Sequence, residues 1–210
     1  MKKGGLTVLA VLATAISLAA SDATVEGGRP GLAVLPAQNR VESLWWAESG
    51  ARAAQEIFLE RLVENEHYRV MARGELEAKL QENRLWLTGE LSPASIVKLS
   101  RLLGVRYLLM GALTEYGLGR GSKGKHGRGR RPGLGGKRFL AAFDLRLMDG
   151  ETGAIVWADG GRGEAPVELW RAANTEEGTQ AEAAMFDFVL RPLLEDLAER
   201  LGEAELPETP

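Results

Sequence analysis

Apolar residues recur along this chain with two periods, and each period predicts a different kind of element. Residues 31–36 (GLAVLP) form a short apolar run closed by proline, the pattern of a buried strand entering a loop. Ala47, Ala51, Ala54, Phe58 and Leu62 then fall three or four residues apart, so 43–65 is predicted to be an amphipathic helix. A second short strand is predicted at 68–71. In 73–83 (RGELEAKLQEN) Leu76 and Leu80 lie one turn apart among charges, which predicts a helix with a narrow apolar face. Ser92 and Pro93 together mark a helix start, because a serine oxygen accepts from first-turn amides and proline has no amide to leave unpaired there. That third helix carries Ile96, Val97, Leu99, Leu102 and Leu103 and stops at Gly104.

The second half of the chain reads mostly with period two. Residues 107–116 (YLLMGALTEY) are apolar enough to lie centrally in a sheet. In 139–148 (FLAAFDLRLM) the alternation of Phe143, Asp144, Leu145, Arg146 and Leu147 predicts one buried and one wet face. Residues 149–153 (DGETG) have turn chemistry, and 154–159 (AIVWAD) returns as the hairpin partner. From about Thr179 a last helix begins, with Thr179 and Glu182 spaced as a capping box. Val189, Leu190, Leu193, Leu194, Leu197 and Leu201 form its stripe, and Pro192 is expected to kink it or mark a late start. The fold class is therefore α/β, a mixed β-sheet with helices packed against it.

The two ends stand apart from this pattern. Lys2 and Lys3 precede an apolar run at 6–20, followed by Ser21, Asp22 and Ala23, which is the order of a secretory signal. The run is shorter than the roughly 20 apolar residues a spanning helix needs, so cleavage after Ala20 or Ala23 is expected. The chain thus divides into a signal at 1–23, one domain at 24–202 and a solvated, disordered tail at 203–210. It contains no cysteine, which removes disulfides, thiol chemistry and a lipidated cysteine.

Charge alters the picture at one place. The segment 117–138 carries eight basic residues, nine glycines and no acid; since the whole chain has a formal charge of −3, the remainder carries −11. Such a composition buries too little apolar surface to offset the entropy of ordering, so 117–138 is expected to be a flexible insertion. Arg120, Lys123, Lys125, Arg128, Arg130 and Arg131 are the candidate contacts to an anionic surface. Gly119, Gly121 and Gly124 satisfy the dinucleotide fingerprint in letters only, because no helix start follows them to face a pyrophosphate. The arginine and glycine content also resembles an RNA-binding tail, but an exported chain has no nucleic acid among its expected partners.

Candidate chemistry is sparse. His67 and His126 lack companions at metal-ligand spacing, and no serine or thiol sits in a nucleophile motif. Glu115 and Asp144, on neighbouring predicted strands, are the one carboxylate pair available for acid/base work, and Arg146 nearby makes an exposed charge cluster the better account. No catalytic residue, cofactor or metal site is expected. Trp45, Trp46, Trp86 and Trp170, in or beside predicted loops, are the candidate partner contacts.

Four pieces in this order, GLAVLP at 31–36, RGELEAKLQENRL at 73–85, LLGVRYLLMGALTEY at 102–116 and DLRLMDGETGAIVWA at 144–158, resemble the CsgG family of curli production assembly/transport components. The resemblance implies a periplasmic α/β domain, which in the secretion protein itself forms a ring and lends β-hairpins to an outer-membrane barrel. The chain departs from that pattern in three places. It has no cysteine for a lipid anchor. The slot of the first membrane hairpin holds the basic segment, where each lipid-facing cation would cost about 2–4 kcal/mol at mid-depth. The second slot, 160–180, carries Glu164, Glu168, Glu176 and Glu177 without apolar alternation. The expectation is a periplasmic relative that has kept the domain and lost the pore, binding an envelope protein or further copies of itself in a ring. The alternative is a subunit of a curli-type secretion channel.

Export predicts a mature N-terminus at Ser21 or Thr24. Mass spectrometry of protein from its native host checks this; an intact Met1 chain in the inner membrane would show an anchor instead.

Overall fold

A computed structural model describes residues 25–26, 28–41, 49–85, 87, 91–120, 137–173 and 178–206. The predicted signal, the beginning of the first predicted helix, Trp45, Trp46, Trp86 and the residues 121–136 lie outside these. Seven strands form a mixed sheet: β1 (Val25–Glu26), β2 (Arg29–Val34), β3 (Gln38–Asn39), β4 (Arg69–Val70), β5 (Tyr107–Arg120), β6 (Lys137–Asp149) and β7 (Ile155–Pro166). The helices are α1 (Ala51–Glu64), α2 (Arg73–Glu82), α3 (Pro93–Leu103), α4 (Val167–Ala173), α5 (Gly178–Met185) and α6 (Arg191–Gly202).

Strand β5 is the hinge of the topology. One edge pairs in parallel with β2 and then β3, while the other runs antiparallel to the whole of β6, which in turn pairs with β7. On the outer edge of β2, β4 adds in parallel and β1 antiparallel. A register shift between Leu113 and Glu115 inserts an extra residue in β5. Such a bulge reverses the alternation. Leu109 and Leu113 before it, and Tyr116 after it, therefore all belong to the same core.

That core lies between the sheet and the helices α1, α4, α5 and α6. From β6 it takes Phe139, Ala141, Phe143, Leu145 and Leu147, all at most 1% exposed, as the alternation predicted. Helix α1 adds Ala54, Ile57, Phe58 and Leu62, and α6 adds Leu194, Leu197 and Leu201. Phe58 meets Phe143 at 5.9 Å between ring centres. A buried Gln55 is satisfied by donating to the Val34 carbonyl at 2.7 Å, and Tyr116 donates its hydroxyl to the Glu182 carbonyl. Burial first, and then the negative Glu182 and Asp187, push the Tyr116 phenol well above its ordinary value. Burial likewise pushes Tyr68 up to about 12.

A second, smaller core fills the other face under α2 and α3, with Ala33, Leu35, Leu108 and Met148 meeting Leu76, Ile96, Leu99 and Leu103. Helix α3 begins as read: Ser92 Oγ accepts from the Ser95 amide at 3.2 Å, and Gly104 ends the helix at φ +71.

Several boundaries differ from the sequence reading. β5 and β6 run to Arg120 and begin at Lys137, so both ends of the basic segment belong to the sheet rather than to an insertion. β7 continues to Pro166 rather than stopping at 159, and α4 follows directly, so strand and helix occupy the slot expected for a second hairpin. The last helix agrees with the reading at Pro192: helical backbone continues from α5 through a π-helical turn at Phe186–Leu190 into α6, whose first turn holds the proline.

The predicted turn closes on a buried ion pair. Asp149, 3% exposed, accepts at Oδ2 from Arg106 Nε and Nη2 (3.1 and 2.9 Å). Its Oδ1 accepts from the Glu151 and Thr152 amides and the Thr152 hydroxyl. Gly150 donates to the Arg106 carbonyl at 2.7 Å, and a Cβ there would lie 2.4 Å from the Ser100 side chain. Burial alone would raise the Asp149 pKa, but the Thr152 and Glu151 amides and Arg106 overcome it and hold the carboxyl below its ordinary 3.8.

Because the folded-state pKa is the lower one, this carboxylate stabilises the fold above about pH 4, and its contribution is lost as pH falls through the folded value. Asp149→Asn leaves Arg106 without its buried partner and is expected to cost about 3 kcal/mol at neutral pH. Urea unfolding measures this, and the acid loss of stability should be shallower in the variant.

Candidate interaction surface

The two faces of the sheet are covered unequally. Helices α2 and α3 overlie β2 and the first half of β5, while the same face of β6 and β7 carries small and charged residues with exposed Asp144 and Arg146. Ladder register sets the pattern: Asp144 faces Ala112 and Gly160, Arg146 faces Met110 and Ala158, and Ala142 faces Glu115 and Arg162. Arg162 bridges back across Ala142 to Glu115 at 2.9 and 3.1 Å. Arg138 approaches Glu164 at 3.3 Å.

The proposed carboxylate pair therefore sits on one face, but Glu115 is engaged by Arg162 rather than by the expected Arg146. Glu115 and Asp144 are not direct ladder partners. An ion-paired, solvent-facing carboxylate serves as a surface charge and has no buried site in which to become a general acid.

Where the open half meets α3, a cleft of about 370 Å³ is floored by Met110, Ala112 and Met148 and rimmed by Gln38, Arg40, Arg146 and Ile155. Ile155 is 51% exposed. Through Leu87 and Leu91 the cleft continues into two leucine-lined clefts of about 440 and 420 Å³, flanked by Leu80, Leu85 and Leu102. The chain enters this region through a bend at the end of α2. Leu85 donates to the Leu80 carbonyl at 2.9 Å, and Arg84 takes a left-handed φ of +52. That conformation ordinarily favours glycine, so strain is spent to present Leu85, 40% exposed.

On the opposite side of the molecule, a cleft of about 620 Å³ between α1 and α6 is lined by Glu64, His67, Glu195, Asp196 and Glu199. Arg61 bridges Glu64 and Glu195 at 3.2 and 3.1 Å, and Arg200 bridges Asp196 at 2.8 Å. This is an exposed ion-pair network. No group of three or more His, Cys, Asp or Glu positioned for a metal ion occurs among the described residues.

Of the residues singled out from sequence, Arg120 ends β5 and is exposed, whereas Lys123, Lys125, Arg128, Arg130 and Arg131 lie outside the described residues. Trp170 sits on α4 rather than in a loop, half-buried and stacked on Phe139 with ring centres 5.3 Å apart. Sequence reasoning missed Leu85 and Leu102 as exposed residues, and Leu87 and Leu91 as half-buried residues between them and the second core. Leu102 is on the predicted third helix, and lies off the buried face defined by Ile96, Leu99 and Leu103.

Fold and surface together define an α/β domain of mixed sheet, with one face closed by helices and the other offering an apolar groove beside a charged half-face. The chain belongs to the CsgG family, the curli production assembly/transport component, whose family model matches residues 12–199. Among solved structures it is similar to the hypothetical protein CT253 from Chlamydia trachomatis, with a TM-score of 0.51 and 13% identity over 83% of this chain and 96% of that one. Lipoprotein GNA1162 from Neisseria meningitidis gives 0.45 and 15% over 83% and 99%. The PelC dodecamer from Paraburkholderia phytofirmans gives 0.42 and 16% over 80% and 84%. No curated protein sequence matches the chain. At these identities the first likeness is one of fold.

Arg84→Gly is expected to stabilise the protein by about 0.5–1 kcal/mol, the left-handed penalty less the extra entropy of glycine in the unfolded chain. Urea unfolding reads the change; a loss of stability would mean that the Arg84 side chain holds the bend.

Proposed function

We propose that the protein is a non-enzymatic, periplasmic member of the cell envelope that acts in assembly or secretion by binding another envelope protein through the leucine groove and the adjoining open half-face. The observation that carries this reading is the unequal covering of the sheet. A continuous apolar groove, with Leu85, Leu102 and Ile155 each more than a third exposed, lies on one face of a domain whose other face is closed. Exposed apolar side chains gathered in a groove mark an interaction surface, whereas single scattered ones do not. Family membership supports an assembly or transport role. The charged residues of the half-face would then supply register and specificity rather than most of the affinity.

Leu102→Asp and Ile155→Asp place a charge at the groove without opening the core, so each should shift unfolding stability by no more than about 0.5 kcal/mol. Chemical cross-linking in the native host, followed by mass spectrometry, should recover a stoichiometric envelope partner with the natural chain and a much weaker yield with either variant. Full recovery with both variants would remove the groove from the interface. In planar bilayers the purified protein should give no unitary conductance; reproducible channels would replace this reading with the secretion-channel subunit.

A further inference from the structure

The β5–β6 hairpin ends in a like-charge pair. Arg120 and Lys137 are direct partners at the last step of the ladder, and both are exposed. Neither side chain has an ion-pair or hydrogen-bond partner among the described residues. Like charges placed directly opposite on a sheet repel, so this step weakens the hairpin unless an anion sits against it.

Leu118 pairs with Phe139 one alternation further in, and so shares the face of Arg120 and Lys137. It is 46% exposed. Arg138, on the opposite face, is drawn to Glu164, and Glu115 is held by Arg162, so neither neighbouring acid compensates the pair. The sequence joining the two strand ends adds basic residues and no acid, in a chain that is anionic elsewhere.

We infer that the end of this hairpin, Leu118 with Arg120 and Lys137, is a docking element for the phosphate headgroup layer of an anionic lipid membrane. An apolar side chain between two cations matches an interface in which phosphates lie above hydrocarbon. A soluble polyanion would engage the cations but gives Leu118 no role. The attachment is peripheral, because a spanning strand would have to expose alternating apolar residues to lipid, and this hairpin end carries cations and glycine instead.

The test is co-sedimentation of the whole protein with vesicles of phosphatidylcholine alone or containing phosphatidylglycerol. Binding should require the anionic lipid and weaken as salt shortens the screening length. Removing one headgroup-level cation lowers affinity about fivefold, so Arg120→Gln with Lys137→Gln should lower it about 25-fold. Lys137→Glu puts opposite charges in register; it should melt no lower than the natural protein while losing binding, which separates a docking role from a structural one. Leu118→Ser should weaken vesicle binding but leave binding of inorganic polyphosphate unchanged. Equal binding to neutral and anionic vesicles would overturn the inference, since it would come from the apolar N-terminal segment. Unchanged vesicle binding by the double variant, or by Leu118→Ser, would also overturn it.

Discussion

A buried carboxylate at the end of β6 ties the start of β5, 43 residues earlier in the chain, to the turn that leads into β7. Asp149 receives Arg106 from the residue preceding β5, the amides of Glu151 and Thr152 from the turn into β7, and the Thr152 hydroxyl. A charge taken out of water costs several kcal/mol unless its lone pairs are filled, and here donors reach both oxygens. Because the partners come from the residue that leads into β5 and from the turn that leads into β7, the carboxylate fixes the register of the three strands at this end. A slip of one residue would expose Phe143 and Leu145 and bury Asp144 and Arg146. The same turn lies against α3: Gly150 approaches Ser100 closely, and Gly153, at φ +73, approaches the backbone of Pro93.

The position of α3 then decides which part of the sheet is left open. Seated by the turn, α3 and α2 cover β2, the beginning of β5 and Met148, and do not extend over the rest of β6 and β7. The uncovered half tolerates water because its ladder positions are Ala112, Ala142, Ala158 and Gly160, with an ion pair across them. The groove is the boundary between the two regimes. Leu80, Leu87 and Leu91 pack partly against the second core, Leu85 and Leu102 stay more exposed, and Arg84 adopts a glycine-like conformation at the bend that carries Leu85. Strain and apolar exposure coincide at this bend, which is the feature on which the proposed binding role of the groove rests.

The strands and helices whose burial is one-sided were legible in the sequence, because period and composition agree there: the alternation in β6, the serine and proline at the start of α3, and the turn at 149–153 all stand where the residues put them. The surface was legible only in part. The extension of β5 past Tyr116 was hidden by its bulge, which breaks the alternation, and by glycines that suit a loop as well as an edge. The far half of β7 was hidden by Gly160, Gly161 and Gly163, whose lack of side chains removes any period. The groove was the least legible part, since an exposed leucine and a buried one are the same letter. The signal that was available, the offset of Leu102 from the α3 stripe, needed the partner elements to give it meaning.

The family resemblance raised the question of whether this chain builds a pore, and the second hairpin slot bears on it through packing. Residues after the expected end of β7 are already committed to the main core: Ala165 is buried within it, Val167 is buried at the start of α4, and Trp170 lies flat against Phe139. Phe139 in turn meets Tyr116 edge-on at 4.9 Å, and Tyr116 is anchored to α5 through the Glu182 carbonyl. Releasing 160–173 to form a membrane hairpin would uncover Phe139 and loosen that chain of contacts, at a cost of about 3–5 kcal/mol for an aromatic alone. The released segment would offer lipid little in return, because Gly160, Gly161, Arg162, Gly163 and Glu164 supply no apolar face. The balance of these terms favours the packed arrangement of 160–173 over a hairpin released into lipid.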